Sequence, residues 1–325
     1  MNKKIIILIL VAIIIIAGGI YVYWYFIKNN GQSAICLNDN EVANYTIKEE
    51  KNAPSSAEII IKDKNTSKEI SEFQISNILP NHYYGYEIHK CGVYVVREFN
   101  YDYVNGKTLT NFRMEVWKYN YNGIGQKLVE ENDFRVDPNE KYLALVKSYL
   151  GQDDYSLVIK DLHGLNNIFT LKLNDILKQY SDITGSFGLL KWSDDSRYFW
   201  ADIFDTAYEK GFVRIDSQNW SYKIYKMPTD IDIGISGPLN FNTGYITLHP
   251  GVVWTGMEEM DNQIKDEWRK EEHLSEMYLY NIFTKNKILI VTTSEPLWSF
   301  NPKWLSDTKL QYEMPNGEKR VYEIK

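Results

Sequence analysis

Only two cysteines, Cys36 and Cys91, occur in the 325 residues, and neither stands at metal-ligand spacing from any of the five histidines. No two histidines share the i, i+4 helical spacing of a zinc site. His82 and His89 lie seven apart, which places them on opposite faces of a regular strand. Basic charge is also short: 36 Lys and Arg stand against 43 Asp and Glu, for a net charge of −7. A nucleic-acid partner needs a basic face, so that class is set aside. The nucleophile elbow G-x-S-x-G is missing; its nearest approach is Gly234-Ile235-Ser236-Gly237, which reads as a turn before Pro238. No phosphate-binding or dinucleotide-binding glycine loop occurs, and nothing in the residues implies a cofactor.

What the chain has is aromatic and apolar. Aromatic residues make up 14%, with 25 Tyr and 9 Trp, a bias that favours β structure because flat rings pack on a pleated surface. The longest apolar run comes first. Lys3 and Lys4 precede an uncharged stretch from Ile5 to Ile27 that ends in Tyr21, Tyr23, Trp24, Tyr25 and Phe26 and is followed by Lys28. Its length suits one bilayer crossing and its end resembles an interfacial aromatic belt. Residues 1–27 are therefore expected to form an uncleaved signal-anchor, 28–40 a linker, and 41–325 an exported domain. The positive-inside rule leaves the amino terminus in the cytoplasm. In an oxidising compartment Cys36 and Cys91 are expected to pair.

From residue 41 the sequence alternates strand-like runs with polar turns, and two units recur. One is a polar turn feeding an apolar strand: Phe134 to Val146, Leu190 to Phe204 and Phe300 to Tyr312. A degenerate copy is expected from Gly244 to Trp254, with His249-Pro250 at its turn. The other unit is a hairpin, as in Glu58–Ile75, Met114–Val129, Ser156–Leu171, Phe212–Ile224 and Met277–Ile290. The starts repeat at about 55 residues, which suits a four-stranded propeller blade. The expected fold is an all-β propeller of about six blades (five to seven). The segment around Val42–Ile47 would supply the strand missing from the last blade and clasp the ring.

Trp192-Ser193-Asp194-Asp195-Ser196-Arg197-Tyr198 and Val136-Asp137-Pro138-Asn139-Glu140-Lys141-Tyr142-Leu143-Ala144 resemble the W-S-P-D-G-K-x-L-A pattern of TolB-like and WD-repeat-like propellers. The propeller domains of prolyl oligopeptidases and dipeptidyl peptidases carry a similar pattern. The resemblance implies a turn shaped by the Asp and Gly positions and a Trp packed between blades, which are structural roles. The resemblance is to the propeller alone, and no hydrolase domain is expected after the repeats.

One stretch breaks the β pattern. Residues 256–275 read as a helix with an apolar stripe of Met257, Met260, Ile264 and Trp268. This stripe and the loop carrying Tyr101 and Tyr103 are the candidate partner-binding residues, with no catalytic or metal-binding residue assigned. The expected function is a membrane-anchored module that binds or scaffolds another envelope protein. Glycan binding or hydrolysis is the alternative, with carboxylates such as Asp194/Asp195, Asp202/Asp205, Asp153/Asp154 and Asp230/Asp232 as its acids. A purely structural envelope subunit is the third reading. Asp63-x-Asn65-x-Ser67 has the opening spacing of a calcium loop but lacks the Gly and distal Glu, and reads as a hairpin turn.

Overall fold

The computed structural model describes residues 36–48, 54–78, 85–102, 107–131, 133–147, 155–178, 186–205, 208–228, 235–249 and 258–324. The apolar run 5–27, Tyr103, His82 and Met257 lie outside them. Among the described residues no helix is long and apolar enough to cross a membrane. The chain divides into two compact units, Met1–Asn132 and Asp133–Lys325.

The first unit is built from two antiparallel meanders. Strands β1 (Glu41–Lys48), β2 (Ser55–Asp63) and β3 (Glu69–Ile78) form one; β4 (Tyr86–His89), β5 (Gly92–Asp102), β6 (Lys107–Tyr119) and β7 (Gly125–Val129) form the other. Among the described residues one pairing, Ile78 with Arg97, joins them into a seven-stranded sheet. Alternation in β2 sends Ala57, Ile59 and Ile61 into a core shared with Ile75, Val93, Val95 and Tyr119. Cys36 and Cys91 are joined by a disulfide that ties the segment before β1 to the β4–β5 hairpin, 55 residues later. Leu37 N–H donates to Lys90 O beside it, at 2.7 Å.

This arrangement corrects the expected clasp. Val42 pairs with Lys62 and Ile47 with Ala57, so the segment is the edge strand of the first meander. The alternation of Val42–Ile47 fits any sheet edge, and the nearest edge in sequence takes it.

The described residues of the second unit form four successive sheets. The first is β8 (Phe134–Val136), β9 (Tyr142–Lys147), β10 (Ser156–Asp161) and β11 (Asn167–Lys172), followed by the short helix α1 (Leu173–Leu177). The second is β12 (Ser186–Trp192), β13 (Tyr198–Asp205), β14 (Tyr208–Asp216) and β15 (Ser221–Lys226). The third is β16 (Ile235–Ser236), β17 (Tyr245–His249), β18 (Ser275–Asn281) and β19 (Lys287–Thr293), with helix α2 (Glu258–Lys270) between β17 and β18. The fourth has three strands, β20 (Lys303–Trp304), β21 (Lys309–Glu313) and β22 (Lys319–Glu323).

These sheets stack face to face. Leu157, Ile159 and Val146 of the first meet Phe199, Ala201 and Val213 of the second. Trp200, Phe212 and Tyr225 on its other face meet Ile246 and Leu248 of the third, and Met277 and Leu279 there meet Leu310 and Tyr312 of the fourth. Middle strands are therefore covered on both faces. This is why Leu143-Ala144-Leu145 reads as an unbroken apolar run, whereas the outer strand β19 is half-exposed or exposed throughout.

The sheets begin with one turn, repeated. Asp137 N–H donates to Tyr142 O, Ser193 N–H to Tyr198 O, and Asn240 N–H to Tyr245 O. The first side chain closes the loop: Asp137 accepts from the backbone N–H of Asn139, Lys141 and Tyr142, and Ser193 Oγ from Tyr198 N–H at 2.8 Å. The third copy corrects the expectation of a turn at His249-Pro250. His249 lies inside β17, and the reversal is Asn240–Gly244. The motif's glycine position holds Glu140 and Ser196, both left-handed (φ 53° and 58°); in the third copy Gly244 takes φ 73° one place later. A Cβ on Gly244 would come within 2.5 Å of the Phe283 ring.

A second turn recurs at the hairpins and spans both units. Asp63 N–H donates to Lys68 O, Asp161 N–H to Asn166 O, and Asn281 N–H to Asn286 O, with Ser67, Leu165 and Lys285 left-handed at the fifth position. The leading Asp or Asn accepts from the N–H groups two and three residues on.

Two outcomes test this frame. Asp137 is fully buried, so Asp137→Ala strands its backbone donors and should cost about 1–3 kcal/mol of stability, read as a lower melting temperature. Asp195→Ala, at the exposed counterpart turn, should cost less. Replacing both cysteines by Ser should lower stability by about 2–4 kcal/mol, an effect that reducing agent reproduces in the native chain and not in the variant.

Candidate functional site

The polar cluster around Asp195 is turn chemistry. Asp195 accepts from Ser193 Oγ at 2.6 Å and from Arg197 N–H at 3.0 Å, and the Ser193 bond leads in holding its carboxyl below the ordinary aspartate range. Asp63 likewise spends one oxygen on Asn65 N–H, Thr66 N–H and Thr66 Oγ1, which leaves it capping its own hairpin. Among the described residues no three His, Cys, Asp or Glu side chains gather as a metal site.

The candidate partner residues fall in different places. Tyr101 is in β5, opposite Thr108, in the first unit. Met260, Ile264 and Trp268 are on α2 in the second. Ile264 and Trp268 are half-buried, and the Trp268 ring lies tilted against His273 at 4.9 Å between ring centroids. The Trp268 indole N–H is buried with no acceptor. In the first unit a pocket of about 310 Å³ lies near the disulfide, lined by Leu37, Glu41, Lys64, His89 and Lys90 among others. Several of its polar groups are engaged within the unit: Glu41 accepts from Asn38 N–H, Lys64 donates to Asp39 O, and His89 meets Glu87 at 3.0 Å.

The second sheet of the second unit holds a different arrangement. A bulge between Leu189 and Lys191 shifts the register so that Lys191 pairs with Trp200, Trp200 with Arg214, and Arg214 with Lys223. One cross-strand row thus runs Lys191–Trp200–Arg214–Lys223 on the face that meets the third sheet. The Arg214 guanidinium carbon lies 4.6 Å from the Tyr198 ring centroid, 5.7 Å from Trp200, and 5.6 Å from both Tyr225 and Phe283. Lys223 sits 5.0 Å over Tyr225, and Lys191 4.8 Å over Phe241. Lys191 and Lys223 are exposed and Arg214 is half-buried.

Among the described residues none of these three cations has a hydrogen-bond or ion-pair partner. The neighbouring cation Arg197 shows the contrast: it meets Asp216 at 3.5 Å. Cation–π contact holds Arg214 in position but satisfies none of its five N–H donors. The arrangement can therefore receive an anion without displacing an internal partner. The row escaped sequence reading because its members are 9, 14 and 9 positions apart and meet only through the bulged register. The one available signal was a basic residue at an inward-facing strand position in Phe212–Asp216.

Asp202 occupies the second row along, the next on the same face, opposite Gly188 and Phe212. A Cβ on Gly188 would come within 2.2 Å of the carboxylate, so the glycine makes room for it. One carboxylate oxygen is buried without a partner, and burial pushes the carboxyl up despite the nearby Arg135. Because the folded value exceeds the unfolded one, this group is unfavourable at neutral pH, and the penalty is relieved as pH falls through the folded value. Asp202→Asn should raise the melting temperature at pH 7, and the gain should shrink as pH falls toward 3.8, the ordinary aspartate value. Thermal unfolding of both chains across that range checks it.

No family model and no curated protein matches the sequence. Comparison with solved structures does find likenesses. The β-propeller domain of the trilobed protease from Pyrococcus furiosus matches with a TM-score of 0.45 and 12% identity, over 89% of this chain and 79% of that one. The acylaminoacyl peptidase of Pyrococcus horikoshii matches with a TM-score of 0.43 and 12% identity, over 88% of this chain and 45% of that one. An oligogalacturonate lyase in complex with manganese matches with a TM-score of 0.43 and 8% identity, over 89% of this chain and 97% of that one. This chain spans less than half of the acylaminoacyl peptidase. It is similar to β-propeller domains of the prolyl oligopeptidase type.

Proposed function

We propose that the chain is a binding module: an exported β-propeller, held to the membrane by residues 5–27, that takes a macromolecular partner at the junction of the second and third sheets of its second unit. In this reading the six strand meanders are its blades. The observation that carries it is the row Lys191–Trp200–Arg214–Lys223, whose cations face an aromatic wall and have no partner among the described residues. Arg, Trp and Tyr dominate the energetics of protein interfaces because they bring large contact area together with a directed polar group. Stacked sheets supply the rigidity that keeps such a surface pre-formed. The apolar run with its Lys3 and Lys4 flank supports the anchored, exported location.

Glycan recognition or cleavage is the second reading. It is favoured by Asp202, a raised carboxyl with an unpartnered oxygen on the same sheet face. Release of reducing ends from a glycan by the native chain, lost in Asp202→Asn, would select it.

The test is photo-crosslinking in intact cells. A photoreactive phenylalanine at position 283, whose side chain is 36% exposed at this junction, should form an adduct with a discrete partner. The same residue at position 70, 53% exposed in β3, should not. Equal labelling at both positions, or none at 283, would overturn the proposal.

A further inference from the structure

The row also constrains the chemistry of what it binds. We infer that the junction of the second and third sheets takes an acidic peptide segment, with Arg214 receiving a carboxylate and Lys191 and Lys223 flanking it. This rests on the binding function proposed above and names its ligand class.

Four observations lead there. First, the guanidinium is walled by rings and, among the described residues, meets no carboxylate. Asp202 lies two positions along β13 from Trp200, opposite Phe212, and the cation acting on its carboxyl is Arg135. Asp216, the acid on the other side, is engaged by Arg197. Second, an arginine fork matches a carboxylate bidentately, whereas a lysine is a point charge, and the row sets the fork between two point charges. Third, Arg214 and Lys223 pair directly across β14 and β15, strands about 4.8 Å apart, so the fork and a point charge can meet neighbouring carboxylates of one segment, while Lys191 stands beyond the buried Trp200 as a separate contact. Fourth, Trp200 and Tyr225 are 2% and 5% exposed. Their ring faces are consumed in packing and are not free to stack on a sugar, which separates a peptide from an acidic polysaccharide. The chain as a whole carries −7, so the row is a local reversal of its charge.

The probe is hexaglutamate, titrated against the full chain in detergent, with a hexauronide of equal charge as the competing class. The native chain should bind hexaglutamate at low salt and lose affinity at high salt, since the contact is ionic. Arg214→Gln should weaken binding about tenfold or more, and Arg214→Lys should recover only part of it because the fork is gone. Lys223→Glu, at an exposed position, should weaken it about fivefold and decides the matter if the Arg214 variants fail to fold. Undetectable binding, equal binding by the native chain and Lys223→Glu, or tighter binding of the hexauronide would each overturn the inference. A position-283 crosslink that survives in Lys223→Glu would leave the binding module standing and remove its acidic ligand.

Discussion

A hydrogen bond from an indole to the carbonyl of the preceding sheet sets the spacing on which much of Asp133–Lys325 depends. Trp192 Nε1 donates to Arg135 O, and Arg135 Nε returns a bond to Leu190 O, so the first two sheets are locked in both directions at their leading strands. Trp304 Nε1 donates to Pro238 O between the third and fourth. The turns add a second latch: Asn139 Nδ2 donates to Ser196 Oγ, and Asn242 Nδ2 to Asp307. The bonds to Arg135 O and Leu190 O satisfy part-buried backbone carbonyls, which is the condition for packing apolar strands on both faces. Trp192 serves twice, since its ring also lies between Tyr142 and Phe199.

The junction between the second and third sheets is built differently. Leu239 stands where the Trp stands in the second sheet, and among the described residues no indole bond crosses there. Rings do the joining: Trp200 lies 5.7–6.2 Å from Tyr225, Phe241 and Phe283, and Tyr225 lies 5.1 Å from Phe283. A ring cluster has negative faces to offer, and the cations of the Lys191–Lys223 row occupy them. The same substitution of rings for a polar latch gives this interface its cohesion and its unpaired charge.

The two best copies of the turn were visible in the residues because Asp137 and Trp192 head runs whose polar and apolar positions agree with the geometry. The third copy was hidden. Asn240-Phe241-Asn242-Thr243-Gly244 has neither Trp nor Asp, and helix α2 enters before the sheet is finished, which pulls apart the spacing that marks the others. The role of Val42–Ile47 was misjudged for another reason: an alternating strand specifies a face to bury and no particular neighbour. The Lys191 row depends on a one-residue bulge in β12, and no periodicity in the sequence announces which strand will carry one. Local reversals are encoded by the residues that cap them, so they can be read directly. Cross-strand rows depend on register, and register is a property of the assembled sheet.

The most direct test is a crystal structure of the chain with hexaglutamate. The account predicts a glutamate carboxylate about 2.7–2.9 Å from the Arg214 guanidinium nitrogens, with Tyr198 and Phe283 still walling that side chain. Peptide density elsewhere, with Arg214 touching only its rings, would contradict it.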